Sequence, residues 1–260
     1  MQAAILLAAI ALTATPEHLH WTVDDTKREA LVYAPRGKTT EPAPLVFVFH
    51  GHGGSSKNAD RSFHLEDVWP EAIVVYPQGL NTPTRIDPQG KRPGWQISAG
   101  AQDDRDLKLF DDMLATIKEK YRVDENRIYA TGHSNGAIFT YLLWSTHPDL
   151  FAAVAPSSAP RGQVELSKPL PVFHVAGVQD RIAPFALQQA TLADVRKLNG
   201  CSDKGTEWAP GCTSYPSKAG TPLVAFIHPG GHVFPKEAPA LIVRFFQEHA
   251  RDVAADSRPR

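Results

Sequence analysis

Several things are scarce in this sequence, and each scarcity removes a class of function. Only two of the 260 residues are cysteine, so neither a disulfide-stapled scaffold nor a thiolate-rich metal fold is open to it. Charge of one sign is missing as well: 27 Lys and Arg stand against 28 Asp and Glu, and no basic field is left to attract a nucleic-acid backbone. Nucleic acid is therefore not an expected partner. No apolar run approaches the length of about 18 residues that a membrane-spanning helix needs, and no internal repeat is visible.

What is present is enough apolar material for one large core, with 42% hydrophobic residues. The first fifteen residues, MQAAILLAAIALTAT, form a short apolar run that ends in small residues and meets polar Glu17 and His18. They read as a secretory signal peptide, although no basic residue precedes the run. Residues 16–260 then read as a single domain. Cys201 and Cys212 flank a Gly-, Ser- and Pro-rich stretch, NGCSDKGTEWAPGC, and an even count in an exported chain favours pairing over two free thiols. Their spacing is too long for a zinc knuckle.

Short Val-, Ile- and aromatic-rich runs mark strands at Ala30–Tyr33, Leu45–Phe49, Ile73–Tyr76, Arg127–Ala130, Val172–Ala176 and Val224–Ile227. Several, such as LVFVF and AIVVY, are apolar throughout, the pattern of parallel strands covered on both faces. Between them, Leu107, Phe110, Leu114, Ile117 and Tyr121 recur every three or four residues and predict a helix over Asp104–Tyr121. Further helices are expected over Asn135–Thr146, Pro184–Leu198 and Glu237–His249. Alternating strands and helices give an α/β fold with a mostly parallel sheet and helices on both faces. Its sites gather at the carboxyl ends of the strands.

One such end carries Gly132-His133-Ser134-Asn135-Gly136, a Gly-x-Ser-x-Gly sequence between a strand and a helix. There a tight turn pushes the serine hydroxyl into the open. A serine needs a base, and the base needs an orienting group. In a hydrolase of this layout the acid follows the serine and the histidine comes last. Among the late histidines, His232 follows two glycines in a loop, with His228 in reserve and His249 on the last helix. Asp180, after the strand Val172–Ala176, is the acid candidate. The loop His50-Gly51-His52-Gly53-Gly54-Ser55 offers backbone N–H groups for an oxyanion hole, from His52 or Gly53, to be completed by the N–H of Asn135. A metal reading of His50 and His52 lacks a third ligand, no Walker spacing follows the glycines, and no cofactor is expected. Trp95, in Pro93-Gly94-Trp95-Gln96, is a candidate aromatic platform for substrate, with core packing as the competing role.

The stretches RVDENRIYATGHSNGAIFTYLL, FAAVAPSSA, HGHGGS, PVFHVAGVQDRIAPF and GGHVFP together resemble secreted poly(3-hydroxybutyrate) depolymerase and feruloyl esterase-like hydrolases. The resemblance spans Tyr33 to Phe246 and implies an α/β-hydrolase fold. It implies a serine carboxylic-ester hydrolase acting on feruloyl esters or polyhydroxybutyrate-type polyesters, with Ser134, Asp180 and His232 as its catalytic residues. It also implies a Cys201–Cys212 disulfide, and it places Asp106 on a family aspartate. Phe234 stands where family members often carry Trp. Acetyl-xylan or general carboxylesterase activity, or peptidase and acyltransferase chemistry, needs the same three residues, and a non-catalytic polymer-binding homologue is the rival from another class.

Overall fold

The structure, a computed structural model, describes residues 15–36 and 40–251. The leader therefore lies outside the described residues, save for its last one. The chain opens with a hairpin, β1 (Glu17–Val23) and β2 (Thr26–Tyr33), turning at Asp24 and Asp25. Both adopt positive φ, 46° and 59°, the backbone a two-residue hairpin turn requires. Next come β3 (Ala43–Phe49), α1 (Ser56–Phe63), α2 (Leu65–Val68) and β4 (Ile73–Pro77). A two-residue pair, β5 (Leu80–Asn81) with β6 (Pro93–Gly94), holds an excursion ahead of α3 (Arg105–Lys120). The remainder is β7 (Val123–His133), α4 (Asn135–Thr146), β8 (Ala153–Ser157), β9 (Val172–Gly177), α5 (Phe185–Leu198), β10 (Thr206–Ala209), β11 (Cys212–Tyr215), β12 (Leu223–His228) and α6 (Ala238–Gln247).

Ten strands form one sheet in the order β1-β2-β4-β3-β7-β8-β9-β12-β11-β10. The centre, from β4 to β12, is parallel, and an antiparallel hairpin extends each edge. Every residue of β3, β4, β8 and β9 is buried, which accounts for the unbroken apolar runs of β3 and β4. Two separate cores lie on the two faces. One packs α3, α4 and α5 with Phe47, Phe49, Ile128 and Val172, and the other packs α1, α2 and α6 with Val46, Val48, Tyr129 and Phe173. Alternate residues of one strand thus serve opposite layers.

β8 and the segment at the cysteines depart from the sequence reading. β8, AVAPS, is a central strand without a β-branched run; burial on both faces holds it in place rather than propensity. The stretch between the cysteines is a β-hairpin with a bulge, not a disulfide loop. Both cysteines are free: Cys201 packs toward the core under α5, whereas Cys212 on β11 points into the core under α6. Side chains on opposite faces of a sheet cannot approach within bonding distance without backbone movement. Burial pushes the Cys212 thiol up to about 11.

One buried ion pair ties the first hairpin to the helical layer. Arg28 of β2 donates to Asp106 Oδ1 of α3 at 2.7 Å, with both side chains fully enclosed. The other oxygen of Asp106 accepts the Gln96 N–H at 2.9 Å, while Gln96 Oε1 accepts the Asp106 N–H at 3.0 Å. Asp106→Ala would strand the Arg28 charge in the interior. A stability loss of about 3–5 kcal/mol is expected, seen as an earlier urea midpoint with an unchanged slope; a midpoint equal to wild type would mean the pair is not a structural tie.

Candidate active site

β7 leads directly into α4 through Ser134, whose backbone sits at φ 56° and ψ −118°. That conformation is strained for a residue with a Cβ. It is enforced by close contact: a Cβ on Gly136 would lie 2.2 Å from the Phe49 carbonyl oxygen, and one on Gly132 would lie 2.5 Å from the Gly136 carbonyl oxygen. Helix and strands therefore touch backbone to backbone, and the Ser134 N–H is fixed to the Ser157 carbonyl at 2.8 Å. The Ser134 hydroxyl is left to face outward.

The three residues singled out for catalysis come together from three strand ends. The Ser134 hydroxyl donates to His232 Nε2 at 2.8 Å, and His232 Nδ1 donates to Asp180 Oδ2, also at 2.8 Å. Asp180 is enclosed, and its Oδ1 accepts the N–H groups of Ile182 and Ala183 at 2.9 and 2.8 Å. His228, the reserve candidate, instead accepts the Gly230 N–H on Nδ1 at 3.1 Å, and so shapes the loop that presents His232. His249 spends its Nδ1 on the Phe245 carbonyl. His133, whose ring centroid is 5.0 Å from that of His232, is pushed down to about 3 by burial and by the neighbouring imidazole. It stays neutral and adds no positive charge beside His232.

The glycine loop after β3 is held by bonds that distinguish its N–H groups. The Gly53 N–H is consumed by the Pro93 carbonyl at 2.6 Å, which removes Gly53 as an oxyanion donor. The His52 N–H has no acceptor among the described residues, and the Asn135 N–H opens α4, where no intrahelical acceptor exists. Beneath the loop, His50 donates from Nδ1 to the Gly51 carbonyl at 2.8 Å and accepts the Gly79 N–H on Nε2 at 3.0 Å. Burial lowers His50 to about 4, so this tautomer is locked neutral. His52 bonds Asp87 at 3.1 Å, tying the excursion between β5 and β6 to the loop.

Trp95 does not contact a substrate space. It is fully buried, stacks on Phe139 with centroids 5.4 Å apart, and donates from Nε1 to the His50 carbonyl at 2.9 Å. Its backbone is gripped by the Asn135 side chain, which accepts the Trp95 N–H at 2.7 Å and donates to the Trp95 carbonyl at 3.0 Å. Trp95 and Asn135 thus form a splint between the loop after β3 and the helix after Ser134. The pairing of Asn135 with a residue forty positions earlier leaves no trace in sequence spacing.

The open space at Ser134 is a cavity of about 450 Å³ whose lining includes Ile86, Ile97, Ile138, Ile182 and Leu187. Four of these, Ile86, Ile97, Ile182 and Leu187, are among the six large apolar side chains exposed on the described surface. Exposed apolar residues clustered around a concave space are a usual lining of ligand pockets. Phe234 lies elsewhere, stacked on Phe63 at 4.0 Å behind His133. Among the described residues, no group of three or more His, Cys, Asp or Glu side chains is placed to hold a metal ion.

Residues 23–205 match the sequence family described as "Putative esterase". Among curated relatives, the chain is 28% identical over 207 residues to the bifunctional acetylxylan esterase/xylanase XynS20E of Neocallimastix patriciarum, covering 76% of this chain and 28% of that one. It is 27% identical over 209 residues to feruloyl esterase B of Piromyces equi, covering 75% of this chain and 38% of that one. The chain thus spans well under half the length of these relatives. Among solved structures it is similar to an acetyl xylan esterase from Aspergillus awamori, with TM-score 0.61, 18% identity and coverage of 89% of this chain and 99% of that one. A ferulic acid esterase superposes with TM-score 0.59, 17% identity and coverage of 91% and 98%. These likenesses identify the fold as that of the α/β-hydrolases.

Buried neutral histidines have a consequence for stability. His50 and His133 hold folded values of about 4 and about 3 against an unfolded value of 6.5, so below that value the unfolded chain binds more protons than the folded one. Stability is expected to be level above about pH 7 and to fall as pH drops from 6.5 toward 4. Urea midpoints measured across that range check it; a flat profile would show that these rings protonate freely in the fold.

Proposed function

Because the chain belongs to the esterase family, we propose that it is a serine hydrolase of carboxylic esters that works through an acyl-enzyme on Ser134. The observation that carries the reading is the continuous bonding of Ser134 to His232 and of His232 to Asp180 at 2.8 Å each. As Ser134 Oγ adds to the ester carbonyl carbon, its proton passes to His232 Nε2. Asp180 stabilises the imidazolium that forms. Negative charge gathers on the former carbonyl oxygen, where the N–H groups of His52 and Asn135 receive it; donors of this kind are worth about 10²–10³ in rate each. The intermediate collapses, the C–O bond to the alcohol breaks, and His232 returns the proton to the departing oxygen. Water then repeats the sequence and frees the acid. The chemistry calls for no cofactor.

The acyl group is an aromatic one of the hydroxycinnamoyl class. Support comes from the isoleucine- and leucine-walled space of about 450 Å³, of which an acetyl group would fill only a small part, and from the likeness to feruloyl esterase B. Polyhydroxybutyrate-type polyesters are the second substrate to try. The leader Met1–Thr15 is read as a signal for export, on the strength of its apolar run.

Two measurements test this reading. Ser134→Ala is expected to lower kcat on short p-nitrophenyl esters by at least about 10⁴-fold with the fold intact; retained turnover would remove Ser134 from the mechanism. Ile182→Asp is expected to raise KM for methyl ferulate about 10-fold while leaving p-nitrophenyl acetate hydrolysis near wild type. An equal loss on both esters would mean that the isoleucine wall does not hold the acyl group.

A further inference from the structure

Polar contacts continue behind Asp180 into the core. Gln188, on α5, lies with its Nε2 2.7 Å from the Ala183 carbonyl and 3.4 Å from Asp180 Oδ2. Its Oε1 lies 3.3 Å from His174 Nε2, on β9, and His174 Nδ1 lies 2.8 Å from the Tyr141 hydroxyl, on α4. All three side chains are buried. We propose that Tyr141, His174 and Gln188 are positioning residues, a one-way chain of hydrogen bonds that ends on the Asp180 carboxylate and keeps it aimed at His232. The inference rests on the reading of Asp180 as the acid of the hydrolase.

The direction of the chain follows by elimination. Asp180 Oδ2 and the Ala183 carbonyl are both acceptors, so the Gln188 amide must turn its NH₂ toward them. Its carbonyl then needs a donor, and only His174 Nε2–H is in reach. With that proton on Nε2, Nδ1 carries a lone pair and accepts from the Tyr141 O–H. Burial holds His174 down at about 4, so the ring remains neutral and the tautomer single. Every dipole points the same way, toward the carboxylate, and aligned bonds polarise one another. No proton has to move along the chain; each bond keeps its own.

Packing alone gives no reason for these residue types. His174 interrupts an otherwise apolar strand, VFHVAG, and α4 is buried over most of its length. A phenylalanine or leucine at such a site costs the fold little, whereas an unpartnered polar group there costs much. With Gln188 in place, Asp180 receives four donors: the N–H groups of Ile182 and Ala183 on one oxygen, His232 and Gln188 on the other. Gln188 also anchors the Ala183 carbonyl, so it fixes the loop that carries the acid and the acid itself. The ionisable groups facing Asp180 and His232 are His133 and His228, and neither belongs to the chain.

Removing a donor makes the carboxylate a stronger partner for the imidazolium, so His232 should hold its proton to higher pH. Gln188→Leu, His174→Phe and Tyr141→Phe in the full chain provide a graded series. On a short p-nitrophenyl ester, kcat is expected to fall about 10-fold in Gln188→Leu and about 3-fold in His174→Phe with KM unchanged. The acid limb of kcat should move up by about half a pH unit in the first and less along the series. The low-field proton resonance of the His232 ring N–H should shift in the same order, a readout independent of any substrate. Tyr141→Phe deletes one hydroxyl and keeps the series interpretable if His174→Phe does not fold. An acid limb and a low-field resonance at their wild-type positions in both Tyr141→Phe and Gln188→Leu would overturn the proposal. If the wild type turns over no ester, the hydrolase reading fails and the resonance alone decides the chain.

Discussion

The rest of the site depends on one backbone contact, the approach of the first turn of α4 to the end of β3. With the Gly136 Cα pressed against the Phe49 carbonyl, the chain between β7 and α4 must double back within a single residue, and Ser134 absorbs the whole turn at φ 56°. The strain fixes the hydroxyl in the open, and it also brings the Asn135 N–H beside the glycine loop after β3. The proposed nucleophile and the proposed oxyanion donors are thus products of the same steric constraint, which is why the loop 50–54 and the segment 132–136 have to be understood together.

Around that contact the protein spends its buried polar groups on holding loops in register. His50 grips Gly79, Trp95 grips His50, Asn135 grips Trp95, Gln96 grips Asp106, and Asp106 is held by Arg28. Each is enclosed, and each would be costly if left alone. The result is a continuous brace from the first hairpin to the oxyanion loop. On the other side, Tyr141, His174 and Gln188 do for Asp180 what this brace does for His52. An apolar, exposed wall lies between the two braces, in contrast to the buried polar groups behind it.

Much of this was legible in the order of residues. Unbroken apolar runs such as LVFVF could only be strands covered on both faces, and Gly-x-Ser-x-Gly between a strand and a helix located the turn before any coordinates. Strand order, residue type and the two glycines before His232 single out Asp180 and His232, which the fold brings within 2.8 Å of each other. What spacing could not reveal was partnership across the fold. Trp95 looked available for substrate because a Trp after Pro-Gly gives no sign of its surroundings; packed against Phe49 and Phe139, it serves the loop instead. The cysteines looked paired because they are near in sequence, yet a hairpin between them sends their side chains to opposite faces. Gly53 and His52 were indistinguishable until the Pro93 carbonyl was seen to occupy one of them. β8 escaped notice because alanine, proline and serine carry no strand signature of their own.

The central claim is that strain at Ser134 and the bond from His232 create a nucleophile. The most direct measurement is covalent: treat the folded protein with a fluorophosphonate and map the adduct by peptide mass spectrometry. The account predicts one adduct, on Ser134, formed rapidly in the wild type and at least about 10²-fold more slowly in His232→Ala. A folded protein that stays unlabelled, or that carries the adduct at a different residue, would contradict it.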